Sequence, residues 1–236
     1  MGTDSGSGHT FEQPHRLARH LWRWLGRARP GAVLHILDFG SGDGALGLAL
    51  GARWAEQHQR LTQVTLVDHH PHAAFSHPQV RLHTRTELDG TIPPADLVLA
   101  SAILEHVHAP EQVLGALVDR LAPGGLLYAR TPWMLPIARL LSKVDFGYPA
   151  HLHDLGPAWW NGVARRHGWP VRALASRPSI VETTLRTHPV RALAAHVLKV
   201  PGHLESWLRG PESTGHRWGW VGGWEVVWQR AADVAV

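Results

Sequence analysis

Asp38-Phe39-Gly40-Ser41-Gly42-Asp43-Gly44 is the stretch most open to a chemical reading. It stands between a short apolar run, Val33-Leu34-His35-Ile36-Leu37, and an apolar helical pattern from Ala45 to Ala55. Closely spaced glycines let a strand turn sharply into a helix and let the backbone come close to a ligand. The helix that follows offers unpaired N–H groups and partial positive charge at its start. This is the chemistry of a nucleotide-binding turn. Histidine is the second conspicuous residue, with 19 in the chain. Imidazole moves protons near neutral pH and ligates metals. His69-His70-x-His72, His106-x-His108 and His151-x-His153 have the spacing of shared ligands. They lie apart in sequence and no HExxH is present, so no metal is expected. The absence of cysteine excludes disulfides, thiolate metal sites and a cysteine nucleophile.

The elements that must position these residues alternate. A first helix is expected near 12–27, with Leu17, Leu21, Trp24 and Leu25 on one face and Pro30-Gly31 after it. Strand 1 is expected at 33–38 and a helix near 44–58, where Gly44, Gly47 and Gly51 permit close approach to a sheet. Strands follow at Val64–Asp68, about 79–84 and Asp96–Ser101. A helix near 110–121 carries Val113, Leu114, Leu117 and Leu121 in phase, and Pro123-Gly124-Gly125 turns the chain into strand 5, Leu126–Thr131. A helix near 157–168, capped by Asp154, leads to strand 6 at Val171. Residues 187–209 read as an amphipathic helix with Val190, Leu193, Ala194, Val197 and Leu198 in its apolar stripe, and Trp224–Gln229 as a last strand. The βα alternation predicts an α/β fold: a doubly wound, mostly parallel sheet with helices on both faces.

Composition sets the bounds. A chain of 236 residues, 44% apolar, suits one α/β domain with additions. The division expected is a disordered tail at 1–10 and a single domain at 11–236 with substrate-side segments 132–156 and 177–223. No apolar run is long enough to span a membrane and no signal-peptide pattern is seen, so a cytoplasmic location is expected. The net charge of +4 is modest. Arg23, Arg27 and Arg29, and Arg165 and Arg166, read as solvated faces, so nucleic acid is not an expected partner. The 12 tryptophans crowd the C-terminal part and suit either core filling or an aromatic wall beside a substrate.

Gly42-Asp43-Gly44-Ala45-Leu46-Gly47 matches the dinucleotide fingerprint GxGxxG, with Asp68 near the place of its acidic residue. Read from Asp38, however, the stretch is DxGxGxG. Further on come Ala95-Asp96-Leu97-Val98-Leu99-Ala100-Ser101-Ala102-Ile103-Leu104-Glu105-His106-Val107, then Leu121-Ala122-Pro123-Gly124-Gly125-Leu126-Leu127 and Thr131-Pro132. In order and spacing these resemble the motifs of class I S-adenosylmethionine (SAM)-dependent methyltransferases of the small-molecule type, over roughly residues 30–175. The resemblance implies a seven-stranded sheet whose final strand is antiparallel. It implies that SAM lies along Gly40, Ser41, Gly42 and Gly44, with Asp38 near the methionyl ammonium and Asp68 accepting both ribose hydroxyls. His69 would lie against adenine and Ser101 beside the methyl group. The family often places an acid after strand 3; here Glu87 or a backbone contact would serve.

What the resemblance implies for chemistry is in-line methyl transfer to a small organic acceptor, with oxygen the expected atom. His106, just past strand 4, and His151 and His153, on the substrate loop, are the candidate bases. A non-catalytic SAM-binding scaffold subunit is the alternative. Relatives join strand 6 to the final strand by a short connection. The long stretch here predicts a helical insertion, either covering the acceptor side with Trp207 and Trp218 or packing elsewhere in a monomer or homodimer.

Overall fold

The computed structural model describes residues 14–28, 30–69, 75–133, 151–180, 188–213, 215–217 and 222–232. The expected tail at 1–10 lies outside them, as do His70, His72, Trp218 and Trp220 and parts of the segments 132–156 and 177–223. In chain order the elements are α1 (Pro14–Ala28), β1 (Leu34–Phe39), α2 (Ala45–His58), β2 (Thr62–Val67), β3 (Val80–Arg85), β4 (Ala95–Ser101), a 3-10 turn (Leu104–His106), α3 (Pro110–Asp119), β5 (Leu121–Thr131), α4 (Pro157–His167), β6 (Val171–Pro178), α5 (Pro189–Arg209) and β7 (Trp224–Arg230).

Seven strands form one sheet in the order β3-β2-β1-β4-β5-β7-β6. The first five are parallel to their neighbours. β7 runs antiparallel to both β5 and β6. Side chains alternate across the sheet, as strand geometry requires. Ile36, Leu97, Leu99, Leu126 and Tyr128 pack on the face covered by α1 and α2. Leu37, Val98, Ala100, Leu127 and Ala129 pack on the opposite face with Leu114 and Leu117 of α3 and Trp160 of α4. The sheet is thus wound on both faces, and strand order reverses between the parallel β1 and β4, where such folds bind ligands.

α2 lies close to the sheet because its glycines lack side chains. A Cβ on Gly51 would stand 2.7 Å from Val64, and one on Gly47 would stand 2.8 Å from the Asp38 carboxylate. On the far side, Glu225 of β7 is fully buried. It accepts hydrogen bonds from His20 of α1 at 2.9 Å and from Arg177 of β6 at 2.8 Å. Burial alone would raise its carboxyl, but His20 and Arg177 together hold it below the usual carboxylate range.

Four expectations need correction. β5 begins at Leu121, and Pro123-Gly124-Gly125 forms an irregularity within it, between the pairs Ala95–Leu121 and Leu97–Leu126. Gly156, not Asp154, precedes α4, and no side chain caps that helix. Pro157 at the first helical position explains why: its missing N–H is one fewer donor to cap. α5 forms where expected, yet its apolar stripe does not pack: Val190, Leu193, Val197, Leu198 and Trp207 are exposed. The apolar residues needed to fill the core come instead from the strands, leaving α5 attached through β6 and through Lys199. Asp68 lies one residue beyond β2 rather than within it.

Candidate active site

The glycine turn is built by backbone contacts between the ends of β1 and β2. Gly40 N–H donates to Val67 O at 2.8 Å, and Gly42 N–H donates to the Asp68 carboxylate at 2.9 Å. Gly40 and Gly44 have φ of 67° and 72°, backbone that favours glycine. A Cβ on Gly40 would overlap Ile103, and one on Gly44 would overlap Leu66. The glycines therefore serve the protein's own packing as well as any ligand. Asp38 is buried and accepts a hydrogen bond from Gly47 N–H in the first turn of α2 at 3.0 Å. Burial pushes its carboxyl up to about 7, opposed in part by that hydrogen bond. The hydroxyls of Ser41 and Ser101 are buried and have no hydrogen-bond partner among the described residues. They stand just after β1 and at the end of β4, on either side of the place where strand order reverses. His69 and Glu87 are exposed beyond the ends of β2 and β3.

Just past the ends of β4 and β5 lies a pocket of about 430 Å³ whose lining includes Glu105, His106, Arg130, His151, Ala195 and Lys199. Its wall starts at Ala102, the residue after Ser101, which has φ of 58°. That strained backbone sends the chain out of β4 into the 3-10 turn bearing Glu105 and His106. Leu152 N–H and His153 N–H both donate to Glu105 O, at 2.8 and 3.2 Å. These two bonds bring the 151–153 segment over the turn and set the His106 and His151 rings 4.9 Å apart. Glu105 is 1% exposed, and burial pushes its carboxyl up to about 7, with His106 and Arg130 pulling the other way. Lys199 of α5 reaches Ser179 O at 2.7 Å and its hydroxyl at 3.1 Å, which fixes α5 as one wall of the pocket.

Of the three candidate bases, His106 and His151 line the pocket together, whereas His153 lies outside its lining. Glu105, Arg130 and Lys199 are pocket residues that sequence reasoning did not single out. Glu105 stands inside the quoted Leu-Glu-His-Val string; Arg130 had a weaker signal, a lone cation in an apolar strand, and Lys199 none, since the same helix carries Arg191 and Arg209. Trp207 is exposed and away from the lining, while Trp160, Trp224 and Trp228 fill the core. No tryptophan among the described residues lines the pocket, so the aromatic wall is not built by them.

A family model described as a methyltransferase domain matches residues 10–176. Solved structures of similar fold include plantazolicin methyltransferase BpumL in complex with SAH, 15% identical, with a TM-score of 0.55 over 93% of this chain and 86% of that one. Magnesium protoporphyrin IX methyltransferase from Synechocystis PCC 6803 with bound SAH is 12% identical, with a TM-score of 0.53 over 98% and 90%. The [4+2]-cyclase SpnF is 16% identical, with a TM-score of 0.51 over 97% and 85%. No curated protein matches in sequence. The likenesses extend to fold; the cyclase among them is a reminder that fold alone does not fix chemistry.

Proposed function

The chain belongs to the methyltransferase-domain family, and we propose that it transfers the methyl group of SAM to an oxygen atom of a small organic acceptor. One observation carries the reading: a glycine turn already latched to Asp68 stands at the strand-order reversal, and a pocket bearing Glu105, His106, Arg130, His151 and Lys199 opens just past the end of β4. The residues fit SAM. Asp68 offers a carboxylate of the kind that binds a vicinal diol. Ser41 and Ser101 offer buried hydroxyls, and Asp38 of β1 a buried carboxyl bonded to the first turn of α2. SAM supplies, when bound, a methyl group already activated on a positively charged sulfur.

The protein's part is then alignment and charge. Holding an acceptor oxygen in line with the methyl carbon supplies up to about 7–11 kcal/mol of a barrier in well-oriented cases. His106 and His151 are the proposed bases for the hydroxyl proton, a role that adds roughly 10²- to 10⁴-fold; His153 ranks behind them. As the new O–C bond forms, the C–S bond breaks and its electron pair stays on sulfur. The proximity of Arg130 and Lys199 supports an acceptor that carries negative charge. Nothing in the reading requires nucleic acid or a membrane surface, and no helix among the described residues is long and apolar enough to cross one.

The test has two measurements. Calorimetry with SAH should show binding, and SAM with phenolic and carboxylic acceptors should yield SAH and a methylated oxygen. Binding without turnover across both acceptor classes would favour the non-catalytic scaffold. Turnover with amines alone would move the reading to nitrogen.

A further inference from the structure

Glu105, His106 and His151 gather three metal-type donors at one wall of the pocket. One donor atom from each lies within 4.8 Å of the other two. We propose that these three side chains hold a single divalent transition-metal ion, and that the ion binds the acceptor's oxygen. Two imidazoles and one carboxylate are a donor set suited to Zn²⁺, Fe²⁺, Co²⁺ or Mn²⁺, with positions left open for a ligand.

The geometry is looser than an ion needs. Donors at about 2.0–2.2 Å from a tetrahedral centre stand about 3.3–3.6 Å apart. Separations of up to 4.8 Å must therefore close by as much as about 1.5 Å, and the His106 side chain, 38% exposed, has room to turn. A second observation is independent of spacing. Glu105 is 1% exposed, yet its Oε2 has no hydrogen-bond partner among the described residues. The carboxylate accepts one hydrogen bond, from Glu105's own backbone N–H, and Oε1 stands 4.0 Å from His106 Nε2, too far for another. A buried carboxylate oxygen without a partner is costly, and a cation beside it removes that cost. The scaffold is rigid where it must be, because the two hydrogen bonds to Glu105 O fix His151 over the turn.

Arg130 and Lys199 line the same pocket, and their charge opposes a bare cation. The site therefore favours an acceptor that brings negative charge: a catechol, an enol acid or another ligand with two oxygen donors. On the ion, such a hydroxyl becomes more acidic and loses its proton to solvent, since both imidazoles are then ligands rather than bases. The oxygen forms a bond to the methyl carbon as the C–S bond breaks onto sulfur. This role rests on the methyl-transfer reading above and, in the metal-loaded protein, replaces the base role given there to His106 and His151; the binding of the ion does not rest on it.

Co²⁺ is the probe. The full-length protein, saturated with SAH, is titrated with Co²⁺ by calorimetry and visible absorption. Wild type should take up one tightly held ion with ligand-field bands of nitrogen and oxygen ligation. Glu105→Gln should weaken uptake at least tenfold, and the double variant His106→Ala, His151→Ala should abolish the bands. The double variant changes side chains that are not fully buried, so it keeps the test open should Glu105→Gln fail to fold. No ordered uptake by wild type, or the same bands in the double variant, overturns the proposal. Failure of SAH binding or SAM turnover is read separately and bears on methyl transfer instead.

Discussion

The hydrogen bond from Gly42 N–H to Asp68 orients that carboxylate before any ligand arrives. Asp68→Ala should remove charge-assisted bonds worth about 1.5–3 kcal/mol and loosen the turn as well. Affinity for SAH should fall roughly ten- to a hundredfold, measured by calorimetry; an unchanged affinity would remove Asp68 from the site. Asp38 gives a prediction in pH. Its folded value of about 7 stands above the ordinary 3.8, chiefly through burial. The folded protein thus keeps a proton that the unfolded chain releases near pH 4. The stability this gives is complete below about pH 4 and is lost as pH rises through about 7. Asp38→Asn removes the titration and preserves an acceptor for Gly47 N–H. Melting temperatures of wild type minus variant should therefore fall across that window; parallel curves would refute the assignment.

At the scale of elements, Ala102 holds the link between β4 and the 3-10 turn in a conformation glycine adopts more readily. Left-handed backbone costs a residue with a Cβ about 1–2 kcal/mol, against roughly 0.5–1 for the extra freedom glycine loses on folding. Ala102→Gly should leave stability equal or raise it by up to about 1 kcal/mol in urea unfolding. A clear loss would mean that the methyl group's packing outweighs the strain. The same link shows what the sequence made legible. β1, β2, β4 and α2 were readable because their patterns are local: short near-continuous apolar runs, then glycines, then a helical repeat. The proposed cofactor half follows from them, since Gly40 to Gly44 and Asp68 sit at the ends of those elements. Of the proposed acceptor half, His106 and His151 were readable as candidates, but their meeting was not. His151 meets His106 only because two backbone N–H groups reach Glu105 O across more than forty residues, and nothing in residue type encodes that meeting. The same holds for Lys199, whose place in the pocket depends on its bonds to Ser179.

At the scale of the molecule, α5 is the element with two faces in different roles. Ala195 and Lys199 face the pocket, while Val190, Leu193, Val197, Leu204 and Trp207 face away and are exposed. The apolar stripe expected to form the cover, Trp207 included, is exposed; a cover by the inner face, through Ala195 and Lys199, is the proposal that remains. Replacing 189–209 with a Gly/Ser linker should leave SAH affinity within about threefold and lower acceptor turnover by roughly tenfold or more, because water enters and the acceptor loses a wall. Equal losses in both would show that α5 supports the fold rather than the acceptor.

The position of β7 also governs how the protein is made. β7 lies between β5 and β6 although β6 is synthesised first, and among the described residues β7 is the only strand that β6 pairs with. Residues 179–223, 45 in all (223 − 179 + 1), must leave the ribosome before Trp224 appears. At ordinary elongation rates that takes about 2–9 s. Throughout it the β5 edge, with Leu126 to Thr131, has no antiparallel neighbour and can pair with another nascent chain. Slower translation of this stretch, or crowding of ribosomes on one message, would cost yield through aggregation while leaving the stability of the finished molecule untouched.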